Sequence, residues 1–430
     1  MIETASYSEF TIGFHNRLKG DRIPLSGTIE VSRRCPLDCR HCYNNLPMND
    51  VAAREAELTT AEHARLVDEI VDEGCLWLLY SGGEIFARRD FLDIYTHAKR
   101  RGLFLTLFTN GMLVNERIAD HLAEYKPFGV EITLYGATRE TYEAMTRVPG
   151  SYDRVLRGID LLVERHIPLS LKAMATTLTV SEIPAMRQIA KDRGLEFTYD
   201  PVLHPRIDCG KSPLEVRLEP HEVVALDLLD PARESEWQRF NRLFAGPVVR
   251  PREQADEVYT CGGGVNSWAI DPAGLMSICV ISHCDKYDVR RGSFREGWRH
   301  FLKDVRAKKA TRPSKCTACH LIANCGMCPA NGELEHGDPE KPVDFLCHVA
   351  HLRAYAMEKN VPPHGPCEYC EGGERHEALT ASLAALESEV SRGGPGLWER
   401  RLAVPPASAD DAAAGCGGGC SGCGLISLKK

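Results

Sequence analysis

Short apolar runs alternate with amphipathic segments along the first half of the chain. Between the runs, apolar positions recur with helical spacing; in residues 59–74, Thr59 and Glu62 form a predicted capping box and Gly74 a stop signal. Apolar strands separated by amphipathic helices indicate a parallel sheet covered by helices. The apolar runs are TIEVS (28–32), LWLLY (76–80), LFLTLF (103–108), VEITL (130–134), LSLKAMATT (169–177) and EFTYD (196–200).

Six such units are too few for a closed eight-stranded barrel, so we predict an α/β fold with a partial (β/α)6 TIM-like barrel. Its active site should lie where the strands end, because the loops after parallel strands meet at that edge. The pattern changes near residue 201 and again near 256. The predicted segments are an N-terminal arm (1–27), the barrel (28–205), a connector (206–255), a cysteine-rich domain (256–350), and a helical segment with a Cys/Gly-rich tail (351–430).

Composition narrows the class of protein. The 430 residues carry a net charge of -8, which does not favour binding to nucleic acid. The sequence contains no apolar run long enough to cross a membrane, and its N-terminus does not show the basic and then apolar pattern of a signal peptide. We therefore expect a cytoplasmic protein without nucleic-acid or membrane partners. In a reducing compartment its 18 cysteines favour metal binding or redox chemistry over disulfides.

Three of these cysteines follow the first predicted strand, in SRRCPLDCRHCYNN (32–45). Cys35, Cys39 and Cys42 can ligate three irons of a [4Fe–4S] cluster, which leaves the fourth iron open to a small molecule. The alternative is a zinc site. Zinc would need a fourth ligand, which His41 could supply only with awkward geometry.

Other segments follow the later strands in a recognisable order. They are SGGE (81–84) after the second strand, TNG (109–111) after the third and EITLYG (131–136) at the fourth. Together with CxxxCxxC at the end of the first strand, they resemble the radical S-adenosylmethionine (SAM) superfamily. The resemblance implies cofactor contacts from His41, Gly82, Gly83, Glu84, Thr133, Arg147 and Lys172.

Among these residues, the resemblance implies that Glu84 pairs with the SAM ammonium, Thr133 contacts the ribose and Arg147 meets the SAM carboxylate. It also implies a reaction. SAM binds the open iron, and one-electron reduction of its sulfonium yields methionine and a 5′-deoxyadenosyl radical that abstracts hydrogen from a C–H bond. A reductant protein such as a flavodoxin or ferredoxin is an implied partner.

A second block of cysteines, from 261 to 347, resembles the SPASM extension of such enzymes, which holds two auxiliary [4Fe–4S] clusters. The resemblance assigns an outer set (Cys316, Cys319, Cys325 and Cys347) and an inner set (Cys261, Cys279 and Cys328). Two residues rather than the usual three separate Cys325 from Cys328. The inner cluster has an open iron or takes Cys209 or Cys284 as its fourth ligand, and the alternative for the whole block is a zinc module. In all, three [4Fe–4S] clusters are expected.

The remaining thiols leave alternatives open. Cys367 and Cys370 form a CxxC that suits a redox pair, a metal site or a structural role. Cys416, Cys420 and Cys423 repeat the first spacing in a glycine-rich tail, where a disordered metal-scavenging or redox segment is the simpler interpretation and a third auxiliary cluster the alternative.

The resemblance implies a maturase that crosslinks (by a thioether, C–C or ether bond), oxidises or epimerises a residue of a ribosomally made peptide or protein. The alternatives are modification of a small molecule or tetrapyrrole side chain and, in another class, an iron–sulfur electron carrier. Fewer than thirty residues precede the first strand, too few for a leader-binding domain, so we expect leader recognition to come from the tail, the barrel rim or a separate leader-binding protein. As acid or base, Asp200, His204, Asp208 and Tyr135 are weak candidates, for each of which a structural role is the simpler interpretation.

Overall fold

The structure is a computed structural model that describes residues 18, 21–243, 256–317, 319–357 and 367–405. Most of the predicted N-terminal arm, the end of the connector, and the tail with Cys416, Cys420 and Cys423 lie outside these residues. Within them, no helix has the length and apolar character needed to cross a bilayer.

Six parallel strands form the central sheet in chain order, so the predicted fold class is confirmed. Each observed strand begins or ends within three residues of its predicted run. Neighbouring strands are in register along their length; Ile29, for example, lies opposite Tyr80. The strands are β1 (Ser26–Glu30), β2 (Trp77–Ser81), β3 (Phe104–Thr109), β4 (Gly129–Thr133), β5 (Leu169–Met174) and β6 (Glu196–Asp200).

Helices on the outside of this sheet follow the predicted amphipathic segments. The capping box at the second helix is present: Thr59 Oγ1 accepts from the Glu62 amide at 3.2 Å, and Glu62 accepts from the Thr59 amide at 2.7 Å. Leu66 and Ile70 of this helix are fully buried against the strands. The helices are α1 (Val51–Ala56), α2 (Thr60–Asp72), α3 (Phe91–Arg100), α4 (Glu116–Glu124), α5 (Arg139–Thr146), α6 (Ser151–Glu164) and α7 (Ile183–Lys191).

The cysteine-rich block continues the same sheet. Strands β7 (Ser267–Ile270), β8 (Leu275–Ser277) and β9 (Tyr287–Asp288) extend it beyond β1, giving the order β9-β8-β7-β1-β2-β3-β4-β5-β6 among the described residues. The predicted division into a barrel and a separate domain therefore cuts through one sheet. The physical reason is that β1 lies at the open side of the partial barrel, and β7 pairs with its otherwise unpaired backbone edge.

The described parts of the predicted connector and C-terminal segment are largely helical. They contain α8 (Pro220–Leu229), α9 (Pro231–Leu243), α12 (Asp344–Ala356), α13 (His376–Ser391) and α14 (Pro395–Trp398). Helix α8 packs against both α12 and α13. The predicted boundary at residue 350 falls inside α12. This helix belongs to one packed layer with α8, and the spacing of residues along the chain does not reveal that layer.

The remaining helices belong to the cysteine-rich block and to turns between elements. Helix α10 is continuous through Phe294–Glu296, Gly297–Phe301 (a π turn) and Leu302–Arg306, and α11 is Pro329–His336. Short 3₁₀ turns lie at Ile85–Ala87, Val180–Glu182, Ser212–Val216, Lys315–Thr317 and Ile322–Asn324.

Candidate active site

The three clustered cysteines lie on one loop at the carboxyl end of β1, residues 32–47, which we call the cluster loop. Cys35 and Cys39 are each 8% exposed, and Cys42 is partly buried. All three line a cavity of about 350 Å³ at the mouth of the partial barrel, together with residues from the ends of every strand from β1 to β6. The structure thus brings together residues, from Thr28 to Val280, that lie up to 252 positions apart in the sequence.

A buried carboxylate fixes the start of the cluster loop. Glu57 accepts two hydrogen bonds from the Arg34 guanidinium, at 2.8 and 3.0 Å, and one from Ser32 Oγ at 2.5 Å. The Arg88 guanidinium lies 3.9 Å from the same carboxylate. Charged side chains are rarely buried unless they are paired, so this group orders the loop before any cofactor binds.

A second buried carboxylate fixes the end of the loop. Glu30, on β1, accepts from Tyr43 Oη at 2.9 Å and from Asn44 Nδ2 at 2.6 Å. Burial raises the pKa of Glu30. In the middle of the loop, the Asp38 amide donates to the Thr146 carbonyl at 3.0 Å, which ties the loop to the end of α5.

The backbone of the SGGE segment packs directly against the cluster loop. A Cβ added at Gly82 would lie 2.1 Å from the Ser32 carbonyl oxygen, and one added at Gly83 would lie 2.3 Å from the Arg33 carbonyl oxygen. Gly82 also has a φ of 136°, a conformation that favours glycine. Both glycines line the cavity, and both let β2 pack directly on the cluster loop.

Glu84 does not line the cavity; its carboxylate is turned into the protein. It is 1% exposed and accepts from Thr109 Oγ1 at 2.7 Å and from the Asn110 amide at 2.9 Å. Burial raises its pKa. In the structure Glu84 therefore positions the TNG turn, and it reaches the cavity through Thr109 and Asn110, which do line it.

The environment of the three thiols fits an iron–sulfur cluster. Burial raises the pKa of Cys35, Cys39 and Cys42, so they need a bound cation to become thiolates. Asn110 Nδ2 lies 3.3 Å from Cys35 Sγ, where it can donate to a thiolate. Among the described residues, these three thiols are not one of the groups whose ligand atoms all lie within 4.8 Å of one another. This spacing suits a cubane, whose ligands lie farther apart than those of a single ion.

His41, Thr133 and Lys172 line the same cavity. The His41 ring lies 5.1 Å from the Tyr135 ring, its Nδ1 is buried without a hydrogen-bond partner, and burial lowers its pKa to about 4. Lys172 Nζ lies 3.1 Å from Glu131 Oε2 and 3.1 Å from the centre of the Phe108 ring. The neutral imidazole and the paired ammonium give the cavity polar groups with little net charge.

Arg147 lies on the other side of the cluster loop. It borders an open groove of about 780 Å³, and its guanidinium donates to the Asp38 carboxylate and carbonyl at 2.8 Å each. Of the weak acid or base candidates, Asp208 lines this groove, whereas Asp200, His204 and Tyr135 line the inner cavity. Asp200 also accepts from the Val202 amide at 2.8 Å, as a loop cap does.

The second cysteine block contains two groups of thiols. In the inner set, burial raises the pKa of Cys279 and Cys328, and the nearby Cys261 adds to both shifts; Val280 beside Cys279 lines the barrel cavity. Cys209 and Cys284 both lie near Glu333 and His283, next to this set. The outer set of Cys316, Cys319, Cys325 and Cys347 surrounds a cavity of about 20 Å³.

Three site residues were not found by sequence reasoning: Glu57, Asn110 and His351. Asn110 could have been found, because TNG ends a strand whose carboxyl end faces the site. Glu57 and His351 carry no such signal. Each lies in a segment without a recognisable pattern: Glu57 is 23 residues from its partner Arg34, and His351 is 16 residues from its partner Cys367.

Comparisons with known sequences agree with this geometry. Residues 29–188 match the Radical SAM superfamily. The chain is 26% identical over 329 residues to the AdoMet-dependent heme synthase of Methanosarcina barkeri, covering 72% of this chain and 92% of the synthase. It is also 26% identical over 373 residues to the PqqA peptide cyclase of Xanthomonas euvesicatoria, covering 83% of this chain and 97% of the cyclase.

Solved structures share the fold over both halves of the molecule. Streptococcus suis SuiB bound to S-adenosylmethionine matches with a TM-score of 0.56 at 17% identity, covering 81% of this chain and 82% of that chain. SuiB bound to its precursor peptide SuiA matches with a TM-score of 0.55 at 17% identity, covering 79% and 81%. The match over residues 29–188, which include the cluster loop and strands β2 to β5, shows that the chain contains a Radical SAM superfamily domain, and this domain together with the enzyme relatives supports an enzyme that uses S-adenosylmethionine and a [4Fe–4S] cluster.

Proposed function

We propose that this enzyme is a maturase of a ribosomally made peptide, which it modifies at a C–H bond to form a crosslink, an oxidised residue or an inverted centre. The observation that carries the proposal is the open groove of about 780 Å³ beside the cluster loop. The barrel cavity of about 350 Å³ suits the cofactor and one side chain, and the groove offers room for the adjoining polypeptide.

The charges of the groove support a peptide over a tetrapyrrole. Arg147 is paired with Asp38, and Arg206 Nε lies 3.3 Å from Asp208 Oδ2. A macrocycle that carries several carboxylates would favour unpaired cations, whereas a polypeptide is served by a mixed polar surface. The similarity to a PqqA peptide cyclase over nearly its whole length supports the same substrate class.

Each side chain of the site has a role that follows from its position. Cys35, Cys39 and Cys42 would hold the cluster, and Asn110 would donate to the Cys35 sulfur. Bound SAM supplies a carbon-centred radical for hydrogen abstraction. Thr133 and Lys172 lie on adjacent strands, where they can orient the nucleoside and the amino acid portions of a bound ligand. The partly buried aromatic side chains of Tyr43, Phe108 and Tyr135 line the cavity and would help to exclude water around a bound ligand.

We further propose [4Fe–4S] clusters at the inner and outer sets, with an electron donor such as a flavodoxin or ferredoxin, a separate leader-binding protein, and a cytoplasmic location. Val280 supports a role for the inner cluster near the substrate, because it joins Cys279 to the barrel cavity. Cys209 and Cys284 remain alternatives to an open iron at that cluster.

A tetrapyrrole modifier is the second candidate, and similarity to a heme synthase favours it. The experiment that separates the two is anaerobic incubation of iron-replete enzyme with SAM, dithionite and either short peptides encoded beside its gene or iron coproporphyrin. Mass spectrometry should show a mass change in one peptide, with 5′-deoxyadenosine formed in step. A changed porphyrin with unchanged peptides would replace the proposal by the second candidate.

A further inference from the structure

Three metal-ligating side chains next to the outer cysteine set lie outside the ligands assigned so far. They are His351 on α12 and Cys367 and Cys370 on the turn that precedes α13. Their ligand atoms all lie within 4.8 Å of one another. We infer that His351, Cys367 and Cys370 form a binding site for a single divalent transition metal ion, most simply Zn²⁺, distinct from the iron–sulfur clusters.

The spacing of the ligand atoms favours one ion. Two thiolates on a tetrahedral zinc lie about 3.8 Å apart, as follows from a Zn–S bond of about 2.3 Å. Ligands within 4.8 Å of one another therefore need only a small closure to bind one ion. The four outer cysteines do not form such a compact group among the described residues, as expected for thiols arranged around a larger cubane.

The imidazole is already oriented as a ligand. His351 is 2% exposed, and its Nδ1 lies 2.7 Å from the Cys347 carbonyl oxygen, which can only accept. The proton is thus on Nδ1, and the lone pair of Nε2 points towards Cys367 Sγ at 3.3 Å. Metal-bound histidines have this arrangement, with the second nitrogen donating to a carbonyl or carboxylate.

The turn that carries the two cysteines is held in place from outside the site. Lys315 donates to Glu368 at 2.8 Å, and Arg375 pairs with Asp344 at 3.0 Å. The Tyr369 ring lies 5.2 Å from the His351 ring. These contacts bring the turn against α12 without the metal, so little ordering is left for the ion to do.

The charge of the complete site suits its burial. Cys370 is 7% exposed, and the small cavity of the outer set includes Cys367 and His351. Binding Zn²⁺ releases the two thiol protons to solvent, and two thiolates with a neutral imidazole leave no net charge. One coordination position remains for water or another ligand. The ion would join the turn to α12 and cover one side of the outer set.

Metal analysis tests this site independently of catalysis. Iron-replete wild-type enzyme, incubated anaerobically with Zn²⁺ and desalted, should retain about one zinc per chain. Cys370→Ala and His351→Phe should lose that zinc and keep the iron. His348→Phe and Cys75→Ala are matched controls that should keep both, since His348 packs on the same Tyr369 ring and Cys75 is buried beside β2.

Zinc-edge X-ray absorption of the wild-type enzyme keeps the test valid if a variant does not fold. It should show two sulfur ligands at about 2.3 Å and at least one nitrogen at about 2.0 Å. The inference fails if iron-replete enzyme binds no zinc, if Cys367 and Cys370 form a disulfide there, or if zinc has no sulfur neighbours. It also fails if the two variants lose about four irons in place of zinc, since these residues would then ligate a cluster.

Discussion

The barrel mouth and the outer cysteine region both gather thiols, but they do so in different ways. At the barrel mouth, Cys35, Cys39 and Cys42 come from a single loop of 16 residues that follows one strand. In the outer region, the seven candidate ligands come from loops and a helix between residues 316 and 370. The loop of the first site is held in place by residues of the sheet. The segments of the second site are held mainly by contacts with one another.

The two regions also use buried charge differently. Under the cluster loop, Glu57 is paired with two guanidinium groups. In the cysteine block, Glu333 is fully buried but accepts mainly from neutral donors, including Tyr259 Oη at 2.9 Å and the His283 amide at 3.0 Å. The loop at the barrel mouth should therefore be ordered without its cluster, and the block should depend more on the metals that we propose for it.

Removal of the barrel thiols should have the largest effect. In the Cys35→Ala, Cys39→Ala and Cys42→Ala triple variant, formation of 5′-deoxyadenosine from SAM should fall to the rate of an enzyme-free control, because the cofactor loses its binding iron. Liquid chromatography with mass spectrometry measures this product. The matched variant Cys316→Ala and Cys319→Ala should still cleave SAM; equal loss in both variants would remove the distinction between the regions.

Replacement of Glu57 tests the order of the barrel mouth by itself. Glu57→Ala leaves Arg34 and Arg88 buried without their carboxylate, so the free energy of unfolding should fall by about 3–5 kcal/mol. Anaerobic urea denaturation measures the change. The control Glu116→Ala removes an exposed partner of Arg157 and should leave stability unchanged.

The counterpart of this variant lies in the cysteine block. Glu333→Ala should lower the iron content of the inner set and leave SAM cleavage by the barrel cluster intact.

If Glu57→Ala were as stable as the wild type, the Glu57 pairings would not order the cluster loop.

The same contrast explains what could be predicted from the sequence. The six strands and the cluster loop follow from local patterns, since a strand, its turn and CxxxCxxC are all written in adjacent residues. The addition of β7–β9 to the open edge depends on the pairing of Gly27 with Trp268, which are 241 positions apart. The hydrogen bonds of Glu84 to Thr109 and Asn110 were also beyond a local pattern, because these partners lie at the end of the next strand.

The smallest predicted effect is on the pH dependence of stability. It involves His63, which lies beside Arg88 in the buried group under the cluster loop. His63 is fully buried on α2, and its Nε2 lies 3.3 Å from Arg88 Nη1, which also donates to the Leu58 carbonyl at 2.7 Å. Burial, and then the Arg88 charge, lower the pKa of His63 to about 3. Below about pH 6.5 the unfolded chain therefore takes up a proton that the folded protein does not.

Because the unfolded state binds more protons in this window, stability should fall as the pH falls, by about 1.4 kcal/mol per pH unit from this histidine well below pH 6.5. His63→Gln should remove that part of the slope, as measured by anaerobic urea denaturation between pH 5 and pH 6.5. Above pH 7.5 both proteins should show the same slope, since the histidine is neutral in both states. If the variant kept the full acid slope, the pH dependence would have to come from elsewhere than the ordered barrel mouth, and the contrast with the cysteine block would be weaker.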